Sequence, residues 1–120
     1  VIQRDGVGVS DLTRRITKPC PHVLLENGAP GGGRFDPGML DYAPQSWASD
    51  NTDPIERLSI QFGASLCYPI ASLGAHVSAS QRASLETRGN VAMCGTFGYE
   101  LDPGKLTTKQ GKTVAPPVAD

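Results

Sequence analysis

Residues 53–56 read Asp-Pro-Ile-Glu, a quartet that leaves the backbone little choice. Aspartate accepts hydrogen bonds from the first free N–H groups of a helix, and proline is preset for the first helical position. A glutamate three residues after the cap can return to the cap's own N–H as a capping box. Ile55, Leu58, Phe62 and Leu66 then recur at steps of three, four and four, one face of a helix that stops near Pro69. Upstream, MLDYAPQSWAS holds a short helical turn and a short strand near residues 46–48, and HVLLE, residues 22–26, has the look of a buried parallel strand. Downstream, residues 70–78 suggest a strand or loop, residues 84–93 a short helix opened by Ser84 despite Gly89, and TFGYELD a final strand. LDPGKLTTKQGK reads as a turn plus a weak helix, and VAPPVAD as a frayed tail. The alternation predicts an α/β fold with parallel strands.

Residues 1–21 show no clean period, and Pro19 with Pro21 closes them as a turn or linker. At 120 residues, 38% of them hydrophobic, the chain is one domain at most, with enough apolar content for a core. A net charge of -1 gives no electrostatic footprint for nucleic acid. No run approaches the roughly 18 apolar residues of a membrane span. The first residues, VIQRDGVGVS, lack the layout of a signal peptide, and a start without methionine fits an internal fragment or a processed product. Cys20, Cys67 and Cys94 are widely spaced and odd in number, against a disulfide framework or a zinc site, and read as buried small hydrophobes.

Fourteen glycines and ten prolines are about 20% of the residues, against a usual share of roughly 12%, so loops are prominent. The densest, NGAPGGGRFDPG, has the G-x-x-x-x-G spacing of a phosphate loop from Gly28 to Gly33, but Arg34 and Phe35 stand where its lysine and hydroxyl belong. No dinucleotide fingerprint can be written across it. Bare backbone there either forms a tight turn or lets a ligand approach its N–H groups. Asp50, Asn51 and Asp53 lack the glycine and distal glutamate of a calcium loop, and His22 and His76 stand alone as structural histidines, so no metal is expected. Gly63-Ala64-Ser65-Leu66-Cys67 misses the last glycine of a serine-hydrolase elbow. No cofactor motif remains.

Two carboxylates are left at the helix start. Asp53 is explained by capping. Asp50 lies three residues earlier, at the carboxyl end of the expected strand and beside the aromatic face of Trp47. Active-site groups gather at that end of parallel α/β sheets and barrels. An apolar ring disfavours the charged carboxylate, as a general acid needs.

HVLLENGAPGGGRFDPGMLDYAPQSWASDNTDPIERLSIQFGASLCYPIASLGAHVS, followed by LETRGNVAMCGTFGYELD, closely resembles the later part of the catalytic domain of glycoside hydrolase family 36 α-galactosidases, over roughly residues 20–107. The resemblance implies that residues 1–120 are a C-terminal portion of a (β/α)8 barrel, with 1–20 poorly matched and 108–120 a tail. It implies retaining hydrolysis of terminal α-linked galactose, as in melibiose and raffinose-type sugars. The first aspartate of the S-D-x-x-D motif, Asp50 here, would be the general acid/base, and Gly28, Gly31 and Trp47 would meet the sugar. An α-galactoside is then the expected partner, and a homo-oligomer is compatible with the full-length enzyme.

Two departures from the family pattern stand out: Gly28 replaces a cysteine at the head of the glycine loop, and Gln81-Arg82-Ala83-Ser84 is shorter than the usual proline-asparagine-histidine-glutamine segment. The retaining scheme needs a second carboxylate about 5 to 5.5 Å away. The family's nucleophile lies upstream in a K-W-D motif, and Asp5, Asp11, Asp36 and Asp41 have no such setting. A barrel is typically about 250 residues, so this chain reads as the acid/base half of a site. A non-catalytic galactoside-binding piece and an α-galactosyltransferase relative are the alternatives.

Overall fold

The helix that starts at Asp53 is present, and a four-stranded sheet forms around it. The computed structural model describes residues 2–28 and 35–114. In chain order the elements are α1 (Ile2–Thr17), β1 (Glu26–Asn27), α2 (Pro37–Leu40), β2 (Gln45–Trp47), α3 (Pro54–Ser65), β3 (Leu73–Ser78), α4 (Leu85–Ala92), β4 (Thr96–Glu100) and α5 (Thr108–Val114), with single 3-10 turns at Ile70–Ser72 and Pro103–Lys105. All three strand pairings are parallel, in the spatial order β1-β2-β3-β4. Neighbours in sequence are neighbours in space, with no reversal of strand order. That is the winding of a (β/α)8 barrel rather than of a doubly wound sheet, which has a switch point.

Strand β3 is the centre of the core. Leu73, Ala75 and Val77 alternate on one face and are fully buried, with Val91 and Ala92 of α4 buried alongside. Gly74 and His76 take the opposite face. Helices α3 and α4 lock together through polar groups: buried Gln61 donates to the Val91 carbonyl at 3.0 Å, in the last turn of α4, where that carbonyl also accepts from the backbone of the closing turn. Buried Arg88 donates from Nη1 to the Ser78 carbonyl at 2.6 Å, tying α4 to the carboxyl end of β3.

Several expectations are corrected. The opening residues form α1, sixteen residues long, and end in a turn that contains Pro19, as expected of that proline. Gly6 and Gly8 blur its apolar period, and it is held by local bonds, Thr13 to the Val9 carbonyl and Arg14 to Asp11. HVLLE is not a strand over its length. Only Glu26 and Asn27 pair, with Gln45 and Ser46, since Pro44 just before β2 has no N–H to give a ladder. Cys67 and Cys94 are exposed and Cys20 only half-buried, because Cys67 and Cys94 lie in the turns that close α3 and α4 on their outer side. The capping box at α3 is not closed by Glu56: Asp53 caps Ile55 and Glu56 as expected, but its own N–H goes to Asn51 Oδ1 at 3.1 Å.

The apolar stripe of α3 faces outward. The helix turns Pro54, Arg57 and Gln61 toward the sheet, while Phe62 is 68% and Leu66 72% exposed. A further apolar cavity of about 510 Å³ opens between α4 and β4, against Val77, Leu85, Met93, Phe97 and Tyr99. Exposed apolar stripes and unpaired strand edges drive association. The 120-residue chain in isolation is therefore expected to self-associate at micromolar concentration, and the double substitution Leu58→Glu, Phe62→Glu to shift it toward monomer in sedimentation velocity. A monomeric wild-type chain with a cooperative thermal transition would contradict this reading of α3.

Candidate active site

The carboxyl end of β2 runs directly into a loop built from alternate residues. Ser49 Oγ accepts from the Asn51 N–H at 3.1 Å, Asn51 Oδ1 from the Asp53 N–H at 3.1 Å, and Asp53 Oδ1 from the Ile55 N–H at 3.0 Å. Each step is a side chain bonding the backbone two residues on, the local turn chemistry that serine, asparagine and aspartate supply. Three such steps carry the chain from strand to helix. Asp50 falls between the rungs. It is exposed, three residues past Trp47, and makes no hydrogen bond with the described residues.

Asp53, by contrast, is fully used. Besides capping α3, its Oδ2 accepts from Ser80 Oγ at 3.2 Å, and Arg82 Nη1 lies 3.4 Å from its Oδ1 and 3.7 Å from Glu56 Oε1. The short β3–α4 loop is thus fastened to the start of α3. Partial burial pushes the Asp53 carboxyl up, but the Glu56 and Ile55 N–H groups, the Ser80 hydroxyl and Arg82 outweigh it and hold it below its ordinary 3.8.

Trp47 closes β2. Its ring lies against His76, centroids 4.7 Å apart and tilted by 45°, and the Arg57 guanidinium carbon sits 4.3 Å above it. Two glycines make room for these rings: a Cβ at Gly74 would come 2.8 Å from Trp47 Cε3, and one at Gly98 would come 2.6 Å from His76 Cδ2. Arg57 is 3% exposed and donates to the Ser49 carbonyl at 3.1 Å and the Gly74 carbonyl at 3.4 Å. Burial lowers its basicity, and the negative charges of Glu100 and Asp50 oppose that shift.

Of the sequence-predicted residues, the structure brings Asp50 and Trp47 to the same strand end. The burial of Asp50 against the Trp47 ring does not occur, because Arg57 occupies that ring face. Gly28 follows β1 directly, is exposed, and has open space where a side chain would stand. Gly31 lies outside the described residues. Just beyond the glycine loop, Phe35 stacks on Tyr68 at 4.1 Å and its carbonyl accepts from the Tyr68 hydroxyl, and Asp36 caps α2. Asp11 is taken up by Arg14 and Arg15. His22 is exposed and precedes β1, on the amino-terminal side of that strand.

Sequence reasoning missed Arg57, His76 and Glu100 as parts of this end of the sheet. Arg57 had one visible signal: it lies four residues past the Asp53 cap, on the stripe flanking the apolar one.

The melibiase family model matches residues 2–120. The chain belongs to that family, glycoside hydrolase family 36. It is 53% identical over 119 residues to α-galactosidase AgaA of Geobacillus stearothermophilus, covering 94% of this chain and 16% of that one. It is 48% identical over 114 residues to the bifunctional α-galactosidase/sucrose kinase AgaSK of Mediterraneibacter gnavus, covering 90% of this chain and 12% of that one. Solved structures agree: an AgaA variant in complex with raffinose superposes with a TM-score of 0.87 at 52% identity, and the α-galactosidase of Lactobacillus brevis with 0.88 at 52%, each covering 93% of this chain and 16% of the other. The chain thus spans about 12 to 16% of these relatives' length. The family match extends through α1, which the sequence resemblance did not reach.

The Asp53 arrangement makes a pH prediction. Its folded-state proton affinity is lowered, so protonation favours unfolding: the stability it contributes is complete above the ordinary value of 3.8 and is lost as pH falls through the lower folded value. With this segment grafted into AgaA in place of the one it matches, protection of the Ile55 and Glu56 amides against hydrogen exchange, corrected for intrinsic rates, should hold above about pH 4 and decline below it. Asp53→Asn should flatten that decline; an unaltered decline would refute the role.

Proposed function

We propose that this chain supplies the acid/base half of a retaining α-galactosidase site. The observation that carries the reading is the division of labour in the loop after β2: Ser49, Asn51 and Asp53 are consumed in shaping it, and Asp50 is left exposed at the carboxyl end of a parallel strand. A general acid needs such a position, held by its neighbours and itself free to meet substrate.

Asp50 protonates the departing glycosidic oxygen while a carboxylate from the rest of the barrel attacks the anomeric carbon. Asp50 then removes a proton from the water that hydrolyses the galactosyl intermediate. The two carboxyls would stand about 5 to 5.5 Å apart. Trp47, its faces taken by Arg57 and Gly74 but its ring only half-buried, offers its open edge to the sugar, and the glycine loop, Gly28 and Gly31 among it, offers backbone N–H groups. The substrate class follows the family: terminal α-linked galactose in melibiose and raffinose-type oligosaccharides. Relatives have been solved with raffinose and with stachyose, which supports this choice.

The test is made in AgaA carrying this segment. Asp50→Asn should lower kcat on raffinose by about 10² to 10⁴-fold, with a far smaller loss of kcat/KM on an activated aryl α-galactoside whose leaving group needs no proton. Azide should partly restore turnover of the aryl substrate by Asp50→Ala, standing in for the water that has lost its base. An unchanged rate on raffinose would sink the assignment.

A further inference from the structure

The ladder between β2 and β3 ends at the Trp47–Gly74 pair, yet β3 continues for four residues, to Ser78. Past Trp47 the loop leaves β3, and the Ser49 carbonyl has no strand donor to meet. Arg57 takes the place of that donor. From the first turns of α3 its guanidinium joins the Ser49 carbonyl, at 3.1 Å, to the Gly74 carbonyl, at 3.4 Å, while lying 4.3 Å over the Trp47 ring.

A buried guanidinium is an expensive way to fill space. With 3% exposure it has left water for two neutral carbonyls and a ring face, and an apolar side chain of similar length would pack on Trp47 without that desolvation. What an apolar residue could not do is hold a carbonyl at a fixed place. The carbonyl in question belongs to the residue immediately before Asp50, so its peptide plane sets where the Asp50 Cα points. The same charge lies in the electrostatic field of Asp50 and of Glu100, at the end of β4. The guanidinium fork suits this role, because two separate N–H groups bind two carbonyls at once, as a lysine ammonium would not with the same rigidity.

We infer that Arg57 is a positioning residue for Asp50, fixing the proton donor by clamping the Ser49 carbonyl to β3 across the opening where β2 and β3 part. The inference rests on reading Asp50 as the acid/base. Arg57 touches no substrate in this scheme; it acts through the loop.

The test separates positioning from mere structural support by leaving group. In AgaA carrying this segment, Arg57→Met should lower kcat/KM on raffinose by about 10 to 100-fold, the scale of loss for a donor displaced by about 1 Å. It should lower kcat/KM on an activated aryl α-galactoside less than about threefold, since that bond breaks without the proton. Arg57→Lys should fall between wild type and Arg57→Met, and millimolar guanidinium should restore raffinose turnover in Arg57→Gly; these two variants also carry the test if Arg57→Met does not fold. In an Asp50→Asn background, Arg57→Met should add no further selective loss on raffinose. Equal losses on both substrates, with no guanidinium rescue, would overturn the positioning role while leaving Asp50 intact. If Asp50→Asn itself fails to distinguish the two substrates, it is the acid/base reading that falls.

Discussion

The pairing of β2 with β3 stops at Trp47 and Gly74, and the backbone that leaves it has to find other partners within a few residues. Ser49, Asn51 and Asp53 supply them in succession, each bonding the N–H two residues on, and the last is also the cap of α3. At about 0.5 to 1.5 kcal/mol net for a hydrogen bond and about 1 kcal/mol for a good cap, no single step is large. Their effect is geometric: the loop has one path. Arg57 then returns from the helix that path begins and secures the Ser49 carbonyl. Strand end, loop and helix start therefore behave as one unit, and Asp50 is mounted on it.

The other elements serve that unit. Leu73, Ala75 and Val77 bury one face of β3 against α4 and leave Gly74 on the other, where the absence of a side chain admits the Trp47 ring. Gly98 does the same for His76. Small residue under large ring, twice, lets two aromatic groups lie close to the sheet, and the Trp47 face so positioned becomes the seat for Arg57. The β3–α4 loop contributes from the far side, where Ser80 and Arg82 meet Asp53. The ion pair there is exposed on its Arg82 side and correspondingly weak, while the Arg57 guanidinium is buried.

What could be read in the sequence depended on whether the deciding interaction was local. Asp53-Pro54 starts a helix by chemistry contained in four residues, and the helix begins there. Ser84 opens α4 for the same reason, bonding the Thr87 N–H. The parallel α/β class follows from alternation of elements and holds. The period of Ile55, Leu58, Phe62 and Leu66 marks a helix face, but period alone says nothing of what the face meets, and the sheet received Arg57 and Gln61 instead. HVLLE has strand composition along its length, yet pairing is a property of its neighbour, and Pro44 withholds it. At the site, Asp50 was visible from its place relative to the cap; its exposure was not, because the occupant of the Trp47 ring lies ten residues further along the chain.

The position of the Asp50 carboxyl relative to a bound galactoside is the decisive quantity. It is measured by a crystal structure of AgaA carrying this segment, inactivated at its nucleophile and soaked with raffinose. If Asp50 is the proton donor, one of its carboxyl oxygens lies about 2.6 to 3.2 Å from the oxygen of the galactosidic bond, with the Ser49 carbonyl still held by Arg57. A galactose ring seated so that another side chain meets that oxygen, with Asp50 turned to solvent, would contradict it.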